Sequence, residues 1–120
     1  SSRGDLRSRL DSADDVRFIA PRFIFVELFK HKDRLLRATG GTEEMLLEAL
    51  NAVLASLDFE DEAAIPVGTW IEAHRLTSPT DPKDTPYVAL ALHLDADFWT
   101  EDEELKEGLR ARRFTRFFEP

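Results

Sequence analysis

The stretch DPKDTPYVALALHLDADFWTEDEEL, residues 81–105, contains both kinds of element from which the fold is built. Pro82 can open a helix, because the first N–H groups of a helix have no internal partner and a residue without one loses nothing there. That helix runs through PYVALALHL (86–94), with Asp95 and Asp97 flanking its end. ADFWT (96–100) is short, apolar and bounded by acidic residues, and reads as a buried strand. EDEELKEGLRAR (101–112) follows as a charged surface helix, and RFTRFF (113–118) as a final strand whose Phe114, Phe117 and Phe118 are core residues.

Upstream the same alternation holds. VRFIAP (16–21) is a brief apolar run closed by Pro, a second buried strand. RFIFVELFKHKDRLLRAT (22–39) places Phe25, Leu28, Phe29, Leu35 and Leu36 at helical spacing, and Gly40-Gly41 stop it at a C-cap. Thr42 N-caps a further helix from Glu43 to about Leu57, with Glu43 and Glu44 in its positive first turn. AAIPV (63–67) reads as a short strand, residues 69–76 as a short helix, SPTDPKD (78–84) as a turn and residues 1–10 as a short polar helix. Short strands separated by helices predict one domain over residues 1–120, α/β in class. Its architecture is three-layer α/β/α, with a mostly parallel central sheet covered on both faces.

The bulk properties narrow the function. A chain of 120 residues with 42% hydrophobic residues and nine Phe buries a globular core. There is no Cys, which excludes disulfides, a thiolate nucleophile and thiolate-ligated zinc. No apolar run approaches the roughly 20 residues of a membrane span and no signal-peptide pattern opens the chain, so a cytoplasmic protein is expected. The formal charge of −8 argues against broad electrostatic wrapping of nucleic acid, though carboxylates gathered for a divalent ion contribute to that total.

Three acidic residues stand out, each with a plainer alternative. Glu27 interrupts the most apolar helix; a carboxylate there is costly to bury unless paired or metal-bound, and otherwise lies on the polar edge facing water. Asp84 stands in the first turn of the helix of residues 82–94, where it complements the helix dipole, and Asp81 has the same role as N-cap before Pro82. Asp102 follows the strand ending at Thr100, at the carboxyl edge where α/β sheets bind ligands; alternatively it is a helix N-terminal charge beside Glu101, Glu103 and Glu104. His31, His74 and His93 are too scattered for a zinc site. Arg110, Arg112, Arg113 and Arg116 either touch RNA phosphates or, in the favoured reading, pair with the acidic run 101–104.

Taken together these features resemble the PIN-domain family of metal-dependent ribonucleases. In that family an Asp opens a helix reading "yvALAl" and the next strand ends in a "WT-x-D" element. Here these are Asp84, residues 87–92 and Trp99-Thr100-Glu101-Asp102. APRFIFVELFKHKDRL (20–35) is similar to the family segment whose Glu is the second acidic ligand, matching Glu27. The resemblance implies that Glu27, Asp84 and Asp102 are catalytic residues and ligands of Mg²⁺ or Mn²⁺, with Thr100 a polar support. Oxygen donors suit such hard cations. It also implies hydrolysis of single-stranded RNA, and in the VapC-like toxin branch an antitoxin partner and a homodimer. The family's first strand, with its own Asp, has no counterpart before Val16, so the chain is expected to lack that strand and ligand; Asp5 lies in a polar segment and does not replace it. A non-catalytic PIN-like module that binds RNA or a protein is the alternative.

Overall fold

The structure, a computed structural model, describes residues 16–38 and 40–120. The helix expected in residues 1–10 and Asp5 lie outside the described residues. The chain divides into two compact units, one ending at Phe59 together with Pro120, the other comprising Glu60–Glu119.

In the first unit, β1 (Phe18–Pro21) pairs with β2 (Leu57–Glu60) in a two-stranded parallel sheet. Three helices fill the connection, as a parallel pair requires a long crossover. Ala20 and Pro21 are buried on β1. The single helix expected over residues 22–39 is two, α1 (Ile24–Lys30) and α2 (Lys32–Ala38). Between them His31 adopts φ −106° and ψ 17°, outside the helical basin. Backbone bonds from His31 N to the Glu27 carbonyl (3.1 Å) and from Leu35 N to the His31 carbonyl (3.0 Å) continue across this break. It is a kink without Pro or Gly.

Gly40 and Gly41 end α2 as their spacing predicts, at φ 90° and 87°. Gly41 N closes back on the Leu36 carbonyl at 2.9 Å, a six-residue closure that needs a left-handed residue, which Gly40 adopts without a Cβ penalty. Thr42 caps α3 (Glu43–Leu54), its hydroxyl accepting from Met45 N at 3.3 Å. This helix ends earlier than expected because Leu57–Glu60 is claimed by the sheet. Phe59 stacks on Phe25 with ring centroids 5.2 Å apart, and Asp58 pairs with Arg17 at 2.9 Å. AAIPV is correspondingly not a strand. Asp61 accepts a bond from Ala63 N at 3.0 Å and starts a 3₁₀ turn, Glu62–Ala64, after which Pro66 opens the next helix. Ile65 is buried from the loop between them.

In the second unit α4 (Val67–Thr77) packs on α5 (Thr85–Leu94), joined through a 3₁₀ turn at Pro82–Asp84. The contact is made close by small side chains: Ala73 and Ala89 are completely buried, as is Val88. α6 (Glu103–Ala111) also packs on α4 and is amphipathic, burying Leu105 and Leu109 one turn apart. A Cβ placed on Gly108 would collide with Oγ1 of Thr80, so the small residue permits α6 to approach the loop after α4. The two strands expected at 96–100 and 113–118 reduce to one parallel bridge between Phe98 and Phe117. Arg113 at φ 69° and a turn bond from Phe117 N to the Thr115 carbonyl bend the last segment out of strand geometry. The Phe98, Phe114 and Phe117 rings pack against one another instead, with centroids 5.5–6.5 Å apart.

The chain is thus α/β, with a two-stranded parallel sheet and one bridge among the described residues. No helix among them is long and apolar enough to cross a membrane.

Leu109, 0% exposed, anchors α6. Leu109→Ala is expected to lower stability by about 2–5 kcal/mol through lost burial and a residual cavity, measured by urea unfolding. Glu107→Ala on the exposed face of the same helix should change it by less than about 0.5 kcal/mol.

Candidate active site

Each candidate carboxylate stands at or near the start of a helix, and the structure separates three different situations. Glu27 lies in the first turn of α1 with its side chain 21% exposed, so it does not face open water. Its Oε2 stands 3.5 Å from Nε2 of His31, one turn along the kinked helix. Its Oε1 is buried and has no hydrogen-bond partner among the described residues. Buried polar atoms are nearly always partnered, so a lone carboxylate oxygen calls for a cation or donor.

Asp84 ends the 3₁₀ turn and stands at the N-cap of α5, half-buried. Its carboxylate makes no capping bond to that helix. The turn is instead started by Asp81, whose Oδ1 accepts from Lys83 N at 3.0 Å, as its place before Pro82 predicts.

Asp102 is the N-cap of α6. Its Oδ1 accepts from Leu105 N at 3.1 Å, and its own N–H donates to Oγ1 of Thr100 at 3.1 Å. The plainer reading of Asp102 therefore holds, and Thr100 supports it through the backbone. The capping bond engages one oxygen of an exposed carboxylate; a carboxylate has about four acceptor sites, so capping does not exclude a second ligand.

Glu27 belongs to one unit, Asp84 and Asp102 to the other. Among the described residues no group of three or more His, Asp or Glu side chains is assembled that could hold a metal ion. His74 and His93 are exposed, as expected of residues outside a site.

The basic cluster is largely engaged. Arg116 pairs with Asp97 at 3.1 Å and with Asp95, Arg112 donates to the Gly108 carbonyl at 2.9 Å, and Arg110 lies over the Phe117 ring at 5.0 Å. Arg116 is salt-bridged, but to Asp95 and Asp97 and not to the acidic run 101–104 that was the favoured partner. The buried cation of α6 is Lys106, which reaches Glu119 at 3.3 Å and Glu103 at 3.7 Å.

Sequence reasoning missed the partnership of His31 with Glu27, although their spacing of four residues in a helical pattern carried the signal. It also missed Thr77 and Thr85, two buried hydroxyls 2.8 Å apart beside the Asp84 turn. Nothing in the local sequence distinguishes them from surface threonines.

The chain belongs to the PIN-domain family, whose profile matches residues 3–117. No curated protein and no solved structure shows significant similarity to it. PIN domains are generally nucleases and generally use divalent metals.

Two substitutions at Asp102 separate capping from any further role. Asp102→Asn keeps an oxygen acceptor for Leu105 N and should leave thermal stability within about 0.5 kcal/mol of the original, whereas Asp102→Ala should lose about 1 kcal/mol. A comparable loss in both variants would show that the capping bond contributes little.

Proposed function

We propose that this PIN domain is a Mg²⁺- or Mn²⁺-dependent endoribonuclease that hydrolyses phosphodiester bonds of single-stranded RNA, with Glu27, Asp84 and Asp102 as its metal ligands. The observation that carries the proposal is Oε1 of Glu27, buried and without a hydrogen-bond partner among the described residues, in the segment that resembles the family's acidic-ligand segment. Family membership supplies the rest of the case. The donor set fits the ion, since all three are hard carboxylate oxygens and none is a soft ligand. When bound, the ion would activate a water and stabilise charge developing on the phosphate.

The chain's own residues have defined parts in this reading. Three bare carboxylates repel one another, so their assembly depends on the cation they share. Glu27 offers an oxygen already withdrawn from water. Thr100 holds the backbone of Asp102, and Asp102 in turn holds the start of α6, so this ligand would be fixed by two hydrogen bonds before any ion arrives. An acidic chain of net charge −8 relies on the cation, not on a basic surface, to receive a polyanion. The toxin of a toxin–antitoxin pair, working as a homodimer held in check by a small antitoxin in the cytoplasm, is the biological setting we favour. The capping role observed for Asp102 favours a second reading, a non-catalytic module that binds RNA or a protein partner.

Cleavage of a fluorescent single-stranded RNA should require Mg²⁺ or Mn²⁺ and fall by at least about 100-fold in Asp84→Asn, with the circular-dichroism spectrum unchanged. Full activity in EDTA would sink the metal mechanism. Binding of the same RNA without any cleavage under Mg²⁺ and Mn²⁺ would favour the non-catalytic module.

A further inference from the structure

We propose that Thr77 is a positioning residue for Asp84, acting through a chain of two buried hydroxyls that closes the turn on which Asp84 is carried. The proposal rests on the reading of Asp84 as a metal ligand.

Thr77 is the last residue of α4 and is 0% exposed. Its carbonyl accepts from the N–H groups of Thr80 at 3.0 Å and Asp81 at 2.8 Å, which ties down the start of the turn. Its hydroxyl lies 2.8 Å from the hydroxyl of Thr85, at the other end of the turn. The Thr85 hydroxyl lies 2.6 Å from the carbonyl of Pro82, which also accepts the Thr85 N–H. Asp84 therefore sits inside a loop whose two ends are both fastened to Thr77. Its own N–H is bonded to the Asp81 carbonyl at 3.2 Å, so the backbone under its carboxylate has little freedom.

Counting protons sets the direction of the chain. Three hydroxyl contacts are present, the third running from Thr77 to the Ala73 carbonyl at 2.9 Å, but two hydroxyls supply only two protons. The Ala73 carbonyl is inside α4 and has the N–H of the helix ladder as partner. Donation from Thr77 to Thr85 and from Thr85 to Pro82 uses both protons, matches the shortest contact and leaves no group without a partner. The plainer alternative is that Thr77 only bonds back to Ala73, as threonines in helices often do, and leaves Thr85 alone. The two cases differ in what happens to Asp84.

The experiment is a Mn²⁺ titration of the full chain, reading free Mn²⁺ by electron paramagnetic resonance, alongside urea unfolding. Thr77→Val, which keeps shape and removes the hydroxyl, should weaken Mn²⁺ binding by about 10- to 100-fold, the usual effect of losing a partner that orients a ligand. Thr77→Ser should bind within about threefold of the original, and Asp84→Asn should lose specific binding. Should Thr77→Val fail to fold, Thr85→Val breaks the same chain from its other end and carries the same expectation. The proposal is overturned, with the ligand reading intact, if the valine variants bind Mn²⁺ normally while Asp84→Asn does not. It is overturned equally if Thr77→Ser loses as much affinity as Thr77→Val, since bulk and not the hydroxyl would then matter. Normal binding by Asp84→Asn would remove the ligand reading itself, and this inference with it.

Discussion

A helix begins with N–H groups that have no partner inside it, and in a chain built of short helices this need recurs every dozen residues or so. Four acidic and hydroxyl side chains among the described residues answer it. Thr42, Asp61, Asp81 and Asp102 each accept a backbone N–H at the start of a helix or 3₁₀ turn. These four bonds fix where α3, α6 and the two 3₁₀ turns begin, and hence which residues of α3 and α6 face inward. Two acidic residues at helix starts that do not cap are the informative ones. Asp84 stands at an N-cap without capping, and Glu27 stands in a first turn with one oxygen buried.

Burial magnifies that difference. An exposed carboxylate at a helix start is worth a few tenths of a kcal/mol to about 1 kcal/mol and can be exchanged for Asn or Ser. A buried carboxylate oxygen without a donor opposes folding by about 1–3 kcal/mol or more. The His31 imidazole, 3.5 Å from the other oxygen, offsets only part of this, because it is charged only when protonated. In the proposed reading a divalent cation is the partner that removes this cost.

Much of the fold was legible where the signal was local. The apolar run closed by Pro21, the Gly40-Gly41 stop, the Thr42 cap and the Asp81-Pro82 start each name one backbone position, and each is where the structure has it. The kink at His31 was not legible, since no Pro or Gly marks it. β2 lies six residues before the expected strand because Asp58 and Glu60 leave LDFE without an apolar run; its Phe59 stacks on Phe25, over thirty residues away in the chain. The aromatic segments at 96–100 and 113–118 have strand-like composition, yet their rings pack on one another and leave one bridge. Of the site, the identity of the acidic residues was readable from the motif and the capping role of Asp102 from its neighbours. The orphaned oxygen of Glu27 and the buried Thr77–Thr85 pair depend on packing that no single sequence displays.

The central claim is that Glu27, Asp84 and Asp102 share one divalent ion. The most direct measurement is a crystal structure grown with Mn²⁺ and recorded at the manganese absorption edge. The account predicts one anomalous peak with carboxylate oxygens of all three residues at about 2.0–2.3 Å, Oε1 of Glu27 among them. A manganese ion bound without Glu27, or no ordered ion at millimolar Mn²⁺, would contradict it.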